Sequence, residues 1–365
     1  MRVLFYTTVS EWSPSQRVMV TVARGLVSRG HVVIIACCAG SAVEATAQAE
    51  GIETVPIDAE SSTAGGAWDL RKTLAEKFVE VAIVTNERDQ LLVSSAMRLA
   101  SRGCVLRRLE PFEKFEVQRG GRLALKLATA GLIVSTEREI KEGGVPGWTI
   151  PMHVAPVGID AVTYDQIEAA DRADIGAPSR GTLIVCHYDP SGRYRLGVVF
   201  RTLALLAQRH ANIHVAVVGP GSHDDQLRLH AAALGVGPVV SFLGPRLDEL
   251  RVMRAAEAGW VVSSGDAGAF ACLDFAALRV PVIAERSPLS QHYVAGGITG
   301  LLLAPGDASY TASTVAAFLS AEDSHTAMGN AGRTRVQRDF PESAMIDGFE
   351  GAVNAAGDRT QWATT

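Results

Sequence analysis

The sequence predicts an α/β protein built from two domains with parallel sheets, and three observations predict it. Short apolar runs rich in β-branched residues alternate with longer segments of helical period, which is the pattern of βα units. The series of strands starts again after a proline-punctuated stretch at Gly143 to Asp160. The chain also has 365 residues, whereas single cores rarely grow past about 250 residues before the chain splits.

The first half contains four strand candidates and one clear helix. The strand candidates are Val3 to Thr7, Val32 to Cys37, Val81 to Val84 and Leu132 to Val134. The helix covers Ser15 to Arg29, where the spacing of Val18, Val22 and Leu26 marks one buried face and Gly30 supplies the stop. This part of the chain therefore predicts a first parallel sheet.

The second half repeats the pattern with five strand candidates. They are Thr182 to Cys186, Ile213 to Val218, Val239 to Leu243, Trp260 to Ser263 and Pro281 to Ala284. The linker is placed at Gly143 to Asp160, where three prolines interrupt the chain, and an acidic, alanine-rich stretch follows it to about Gly181. A second parallel sheet is expected after the linker.

The end of the chain is expected to be helical and then frayed. The run Pro305-Gly306-Asp307 is typical of a helix N-cap and predicts a helix through Leu319. An amphipathic segment follows near Pro341 to Ala355, and Ala356 to Thr365 is expected to fray. The predicted organisation is therefore an N-terminal domain at 1–160, a C-terminal domain at 161–340 and a terminal segment at 341–365.

Charge and composition argue against two classes of protein. The net charge is −5, with 18 basic and 18 acidic residues up to residue 160 and 16 and 21 after it. Neither half has the basic excess that nucleic acid binding requires, so no nucleic acid partner is expected. The longest charge-free window, Ser287 to Gly306, contains two prolines and four glycines, so no bilayer span is expected.

Cysteine usage indicates a reducing compartment. The five cysteines are odd in number and form no CxxC pair, which is typical of a reduced protein without structural zinc. The chain opens directly on a strand-like run, with no charged leader and no small-residue cleavage site, so no signal peptide is expected. A cytoplasmic location is therefore predicted.

Two α/β domains in tandem predict a ligand site in the cleft between them, at the carboxyl ends of the strands. The first βα turn, Thr7 to Gln16, contains no glycine, so the GxGxxG fingerprint is absent where a nicotinamide cofactor would need it. In the second half, Gly219-Pro-Gly221 follows a strong strand and could let backbone approach a ligand. Such a turn is weak evidence taken alone, and a plain loop is the alternative.

The most informative segment runs from Ser263 to Asp274. It follows a strand and opens a helix that is expected to start near Gly268. The free N–H groups and the positive dipole end of that helix would suit a diphosphate. Asp266 before that turn and Asp274 two turns later could grip sugar and ribose hydroxyls. The alternative is that Asp266 is an N-cap and Asp274 a solvated helix residue.

Four stretches of the second half occur in a distinctive order. They are Val215-Ala-Val-Val-Gly-Pro-Gly, Val240-Ser-Phe-Leu-Gly, Asp266 to Ala284, and Gly297-Ile-Thr-Gly-Leu-Leu-Leu-Ala-Pro-Gly-Asp307. In order and spacing they resemble the donor domain of the retaining glycosyltransferases of family 4. Met1 to Val33 and Ala155-Pro-Val-Gly-Ile-Asp160 resemble the opening βα unit and the linker of that family.

This resemblance implies the GT-B fold, in which two Rossmann-like domains face an interdomain cleft. It makes 1–160 the acceptor-side domain, 161–340 the nucleotide-sugar donor domain and 341–365 a helix returning to the first domain. The implied substrate is a UDP- or GDP-sugar, with no cofactor. No metal is expected, because no Asp-x-Asp pair or His/Cys cluster follows a nucleotide-binding strand.

The resemblance also assigns the donor site. Asp266 and Asp274 stand where the family has two glutamates, so Asp266 would contact the donor sugar and Asp274 the ribose. Both are one methylene shorter, and a carboxylate pulled back by about 1.5 Å loses a direct hydrogen bond unless water or backbone compensates. The implied donor-binding residues are Gly219, Gly268, Ala269, Phe270, Leu273 and Asp274.

Cationic groups after the first strand of the donor domain would stabilise the leaving diphosphate. His187 stands where the family has an arginine, and a neutral His187 would weaken catalysis unless its pKa were raised. Arg193 or Arg195 would replace the family lysine, and arginines on a solvated loop are the alternative. The implied catalytic residues are Asp266, His187, Arg193 and Arg195.

The acceptor side departs further from the family pattern. Ser13, Ser15 and Gln16 stand where the family has a glycine pair, and Glu110 lies nearest to the place of an expected histidine. A mobile acidic loop would also explain Glu110. The stretch Arg102 to Lys126 has seven basic and three acidic residues, which would suit anionic lipid at the inner membrane face or a phosphorylated acceptor, or form a solvated face.

The resemblance therefore predicts a retaining transferase that moves a sugar from a nucleotide-diphosphate sugar to a glycan, a lipid-linked or a small-molecule acceptor. The accumulated departures leave two alternatives. One is a catalytically impaired GT-B relative that binds or regulates. The other is a nucleotide-sugar epimerase, which would release nucleoside diphosphate without any acceptor.

Overall fold

The computed structural model describes residues 1–113, 127–142, 150–208 and 212–362. They form two compact units, unit 1 with residues 1–157 and 342–365, and unit 2 with residues 158–341. Each unit is built on one parallel sheet, so the α/β class with two Rossmann-like domains is confirmed. No helix in the described part of the chain is long and apolar enough to cross a membrane.

Unit 1 contains a seven-stranded sheet in the order β3-β2-β1-β4-β5-β6-β7. The strands are β1 (Arg2–Tyr6), β2 (Val32–Cys38), β3 (Glu53–Ile57), β4 (Val81–Val84), β5 (Cys104–Arg108), β6 (Thr129–Val134) and β7 (Met152–Val154). The helices are α1 (Pro14–Ser28), α2 (Ala42–Ala49), α3 (Thr63–Glu76), α4 (Glu87–Ala100), α5 (Glu137–Glu142) and, from the end of the chain, α13 (Glu342–Trp362). All four predicted strands and the predicted first helix are present.

Unit 2 contains a six-stranded sheet in the order β10-β9-β8-β11-β12-β13. The strands are β8 (Thr182–His187), β9 (Ile213–Val218), β10 (Val240–Gly244), β11 (Ala258–Val261), β12 (Val282–Glu285) and β13 (Gly300–Leu303). The helices are α6 (Arg193–Ala207), α7 (Asp225–Ala233), α8 (Glu249–Arg254), α9 (Gly265–Ala277), α10 (Pro288–Tyr293), α11 (Ala308–Leu319) and α12 (Glu322–Asp339). Each unit has its own hydrophobic core. Leu4 and Ile34 lie in the core of unit 1, and Ile184 and Phe200 lie in the core of unit 2.

The C-terminal helix α13 packs on unit 1, against α1 and strands β5, β6 and β7. The expectation that the chain frays from Ala356 is wrong, because the helix continues to Trp362 and Ala356 itself is buried. Phe349, Ala352, Val353 and Ala356 repeat at helical spacing and give α13 one buried face. Arg29 pairs with Asp347 and Glu350 and fixes the helix from its polar side.

Two predicted stretches lie partly outside the described residues. Residues 143–149 of the predicted linker and residues 114–126 of the basic stretch from Arg102 to Lys126 are not described. Within the described part of that stretch, Arg107 and Arg108 are buried at the end of β5. They therefore do not contribute to a solvated or lipid-facing surface, and membrane contact by the remaining residues stays a prediction.

Candidate functional site

The topology of unit 2 brings one set of strand ends together. The strand order reverses between β8 and β11, whose last residues His187 and Val261 are register partners. At such a switch point the following connections leave on opposite faces of the sheet, which opens a crevice at the carboxyl ends. Helices α6 and α9 both begin at this edge.

His187 is buried at the end of β8 with both ring nitrogens engaged. Its Nδ1 lies 2.7 Å from the Ser263 hydroxyl, and its Nε2 lies 3.1 Å from Glu249 Oε1. Burial lowers the pKa of His187, but the Glu249 carboxylate outweighs it, and the pKa lies above its ordinary value. Glu249 thus favours the protonated form of the ring, whose two nitrogens face Ser263 and Glu249.

The two candidate arginines on the first turn of α6 lie in different surroundings. Arg193 is half exposed, pairs with Asp224 and donates to Gln226 Oε1 over 2.9 Å. Arg195 donates from Nε to the Val262 carbonyl over 2.6 Å, and its buried Nη2 has no hydrogen-bond partner among the described residues. Arg195 is therefore the arginine that lies beside the β11–α9 connection.

Helix α9 begins at Gly265, three residues before the expected start near Gly268. The strand before it ends at Val261, two residues earlier than expected, and Gly265 adopts a φ of 54°, which allows the abrupt turn. Ser264 occupies the N-cap but makes no side-chain capping bond. Its hydroxyl instead lies 2.5 Å from the Ser191 hydroxyl, so the first N–H groups of α9 are not capped by a side chain.

Asp189 ties the two connections together. Its carboxylate accepts from the Ser191 amide at 2.7 Å and from the Ser264 amide at 3.3 Å. Because this residue belongs to the β8–α6 loop and Ser264 belongs to the β11–α9 loop, the positions of both helix starts are coupled. The edge of the sheet is thus organised before any ligand arrives.

The glycines expected to admit a ligand lie against neighbouring backbone. A Cβ on Gly219, whose φ is 113°, would lie 2.2 Å from the Tyr188 carbonyl oxygen. A Cβ on Gly268 would lie 2.6 Å from the Ser263 carbonyl oxygen. Both glycines are thus required by close packing of the strand-end loops, whatever ligand binds.

Neither aspartate of α9 fits the alternative of an N-cap and a solvated helix residue. Asp266 lies inside the first turn, since Ser264 is the N-cap, and its exposed fraction is 1%. Asp274 is also buried, with an exposed fraction of 5%, so it is not a solvated helix residue. The Tyr164 hydroxyl donates to Asp274 Oδ1. The neighbouring donor-side candidates are buried in the core around α9: Ala269, Phe270 and Leu273.

The acceptor-side candidates meet at the carboxyl edge of the unit 1 sheet. Ser13 is the N-cap of α1 and its hydroxyl bonds to the Gln16 side chain. The Ser15 hydroxyl donates to Glu110 Oε1 over 3.1 Å, and the Glu110 amide donates to Glu113 Oε2 over 3.0 Å. The structure therefore joins the first turn of α1 to the chain after β5.

Sequence reasoning missed one buried carboxylate at this edge. Asp89, near the start of α4, has an exposed fraction of 0% and accepts from the Thr8 amide at 3.1 Å and the Thr8 hydroxyl at 2.9 Å. Asn86 caps α4 and donates to the same carboxylate. Burial raises the pKa of Asp89. The Asn-x-x-Asp spacing after a strand was the available signal.

Three further residues around the unit 2 site were also missed: Ser263, Glu249 and Tyr164. Glu249 lies in the first turn of α8, after β10, and no spacing in the sequence links it to β8. Tyr164 lies in a 3₁₀ turn before the sheet begins. Only the folded chain brings these partners together.

The cysteines near the site are packing residues. Cys186 and Cys272 are buried, and burial raises the pKa of the Cys272 thiol to about 12. Such a thiol is almost entirely protonated near neutral pH and is a poor nucleophile.

A separate cavity lies at the amino ends of the strands, between Thr182, Glu257 and Pro281, at the opposite end of the sheet from His187.

Comparison with known proteins matches part of the chain to a family model and part of it to two curated relatives. Residues 171–335 match the family model described as glycosyl transferases group 1. A D-inositol 3-phosphate glycosyltransferase from Corynebacterium jeikeium is 30% identical over 214 residues, which are 54% of this chain and 51% of that protein. A lipopolysaccharide core biosynthesis glycosyltransferase, LpsE of Rhizobium meliloti, is 24% identical over 184 residues, 50% of this chain and 53% of that protein. The chain spans about half the length of the curated relatives it matches.

Solved structures match over nearly the whole chain. Anabaena Alr3699/HepE in complex with UDP-glucose has a TM-score of 0.79 at 16% identity and covers 97% of this chain and 100% of that one. WaaG, a glycosyltransferase involved in lipopolysaccharide biosynthesis, has a TM-score of 0.69 at 17% identity, with 96% and 98% covered. At such low identity these matches show the fold. Residues 171–335 are thus similar to the glycosyl transferases group 1, and the two Rossmann-like units have the GT-B fold.

Proposed function

We propose that this protein is a retaining, metal-independent glycosyltransferase that moves a hexose from a UDP- or GDP-sugar bound on unit 2. One observation carries the proposal. The N-terminus of α9 has no side-chain cap and lies beside Arg195, whose buried Nη2 has no partner among the described residues. Helix N–H groups and an unsatisfied guanidinium are suited to one kind of ligand, an anion such as a diphosphate.

The relatives support a sugar nucleotide as that anion. Two curated relatives are named as glycosyltransferases, and one similar structure holds UDP-glucose. In the proposed reaction the bond between the anomeric carbon and the diphosphate oxygen breaks, while the acceptor hydroxyl attacks on the same face of the sugar. The hydroxyl proton passes to the departing phosphate, so atoms and charge balance without any added reagent.

Each group at the unit 2 site has a role in this proposal. Arg195 and the α9 N-terminus stabilise the charge that develops on the leaving diphosphate. The His187 ring keeps the Ser263 hydroxyl oriented beside the same phosphate. Asp266, buried in the first turn of α9, accepts from a hydroxyl of the donor sugar, and Asp274 accepts from the ribose.

The acceptor is assigned to unit 1, at the edge where Ser15 and Glu110 meet. A hydroxyl-bearing acceptor of glycan, lipid-linked or small-molecule type suits these neutral and acidic groups. Metal independence is part of the proposal, and in the described ranges no three His, Cys, Asp or Glu side chains are grouped as metal ligands would be.

The first experiment is a binding panel. The melting temperature is measured with UDP, GDP, ADP and their sugars, because selective binding to the folded state must raise it. We expect one base to raise the melting temperature by several degrees. The failure of every nucleotide at millimolar concentration would refute the donor site.

A matched pair of variants then tests the role of the arginines. We expect Arg195→Ala to lower sugar transfer by about 100-fold, in the range seen when one group that stabilises developing charge is removed. Arg193→Ala is the control, because it lies on the same helical turn but pairs with Asp224 at the surface. Equal losses in both variants would contradict the assignment.

A second candidate is a GT-B relative that binds nucleotide sugars without turnover. Its support is that His187 and Asp274 both bond to neighbouring side chains, whereas the resemblance assigns each of them to the ligand. A nucleotide that raises the melting temperature while the donor stays intact with every acceptor would favour it. Release of nucleoside diphosphate without acceptor would instead indicate the epimerase alternative.

A further inference from the structure

We propose that Tyr164 is a positioning residue that orients the Asp274 carboxylate toward the ribose of the bound nucleotide. This inference rests on the proposed function. The Tyr164 hydroxyl donates to Asp274 Oδ1, and the exposed fractions of the two residues are 3% and 5%. A buried carboxylate needs hydrogen bonds to stay ionised, and a fixed donor also selects its orientation.

The turn that carries Tyr164 is fixed to the same helix by a second set of contacts. Asp165, the next residue, accepts from Arg279 Nη1 at 3.1 Å and from Arg333 Nη2 at 2.8 Å. Arg279 follows the end of α9, and Arg333 lies on α12. Asp160 caps the turn through the Val162 amide at 3.0 Å. The contacts of Asp160 and Asp165 thus hold the turn that carries Tyr164, and they fix the position of its hydroxyl relative to α9.

The bond explains how a shorter acid can serve at this position. By the resemblance stated above, a glutamate would stand at 274, and aspartate brings its oxygens about 1.5 Å less far from the helix. A carboxylate accepts at about four lone-pair sites, so one group can accept from a tyrosine hydroxyl and from a ribose hydroxyl together. Because the Tyr164 hydroxyl already contacts Asp274 Oδ1, a longer acid on the same path would have to displace it.

This geometry predicts a reciprocal pair of substitutions. Tyr164→Phe removes the donor, and the aspartate loses its fixed orientation. Asp274→Glu extends the carboxylate into the space of the tyrosine hydroxyl. The double variant Tyr164→Phe with Asp274→Glu relieves that conflict, because the longer acid then has room and needs less support. Contacting residues are expected to be non-additive in this way.

Calorimetric titration with the nucleoside diphosphate that the binding panel selects, and with inorganic pyrophosphate, tests the inference. Tyr164→Phe should weaken nucleoside diphosphate binding about ten-fold, which equals about 1.4 kcal/mol, and should raise the donor KM more than it lowers kcat. Pyrophosphate has no ribose, so its affinity should not change. Asp274→Glu should also bind the nucleotide less tightly, and the double variant should return to within about three-fold of wild type, since the coupling is pairwise.

Controls separate this role from a structural one. Tyr310→Phe, at a half-exposed tyrosine in the first turn of α11, should leave both affinities unchanged. Asp274→Asn keeps the size of the side chain and supplies a second test if Tyr164→Phe does not fold, and it too should lose nucleotide but not pyrophosphate binding. Unchanged nucleotide affinity, or equal loss of both ligands, overturns the inference. If wild-type protein binds pyrophosphate but no nucleotide, the proposed function fails instead.

Discussion

Replacing Glu249 by glutamine should change how the stability of unit 2 depends on pH. The carboxylate lies 3.1 Å from His187 Nε2 and keeps the pKa of that ring above its ordinary value of 6.5, although burial opposes it. Glutamine keeps an acceptor oxygen but removes the charge. Burial, the largest single influence, is then opposed only by the charges of Asp189 and Asp274, so the pKa of His187 in the variant should fall below 6.5.

The sign of the stability change follows from linkage. In the wild type the pKa of His187 is raised in the folded state. The His187–Glu249 pair therefore contributes its full stabilisation below pH 6.5, and this contribution fades as the pH rises through the folded-state pKa. In the variant the buried ring resists protonation, so acid destabilises it. The difference in the free energy of unfolding between the wild type and Glu249→Gln is therefore largest near pH 5.5. It is smallest near pH 9, where a neutral His187 ring can donate in the same way to the carboxylate of Glu249 or to the amide oxygen of the glutamine that replaces it.

The magnitude follows from the burial of the two partners. A hydrogen bond to a charged group contributes about 1.5–3 kcal/mol, and the Glu249 side chain is 27% exposed, which favours the lower end. We expect a difference of about 1.5–2 kcal/mol near pH 5.5, which corresponds to about 3–8 °C in melting temperature for a unit of this size. Near pH 9 the gap should shrink to about 0.5 kcal/mol.

Two measurements check this. Calorimetric melting at pH 5.5, 7 and 9 gives the stability difference, and proton NMR of the His187 ring gives its pKa in both proteins. Glu76→Gln is the control, because it removes the same charge from an exposed pair with Lys72 at 3.8 Å and should be nearly neutral. A gap between wild type and Glu249→Gln that stayed constant or widened with pH would refute the reasoning.

Three further outcomes can be measured on the same protein. Gly268→Ala places a Cβ 2.6 Å from the Ser263 carbonyl oxygen and should destabilise unit 2 by about 1–3 kcal/mol in urea unfolding, whereas Gly351→Ala meets nothing within 4 Å and should not. Deleting the chain from Ala356 onward removes buried surface of α13 and should lower the free energy of unfolding by about 1 kcal/mol. An unchanged melting temperature would mean that these turns contribute nothing to stability. With iodoacetamide at pH 7.5, the partly exposed Cys38 should react in the native protein before Cys272, and mass spectrometry of the labelled peptides would reveal the reverse order.

Most of the strands that the sequence predicted are buried on both faces. Val81 to Val84 is a continuous apolar run and Ile213 to Val218 is apolar except for His214, and the structure assigns both the same bounds. Two of the unpredicted strands lack that pattern. Glu53–Ile57 is a half-buried edge strand that contains a proline, and Cys104–Arg108 ends in two arginines that only the folded unit buries. A single sequence marks such strands poorly, because their pairing comes from the sheet.

The candidate site was predictable in its chain segments and not in its partners. The segment from Ser263 to Asp274 could be found because a strand, a small-residue turn and a helix follow each other locally. The bond from Glu249 to His187 could not, because it joins α8 to the end of β8. Local pattern determines where a helix starts to within a turn, whereas contacts between distant segments depend on the completed sheet.

The departures from the family pattern are linked to these unpredicted partners. By the resemblance, a histidine stands where the family has an arginine, and Glu249 favours the charged form of that histidine. By the same resemblance an aspartate stands where the family has a glutamate, and the Tyr164 hydroxyl donates to the shorter carboxylate. In the proposed site each replacement alone would weaken binding of a diphosphate or a ribose, but each occurs beside a neighbour that would restore charge or position. Counting the departures one residue at a time therefore overstates the loss of function, and the free energy to measure at each position is the coupling within the pair.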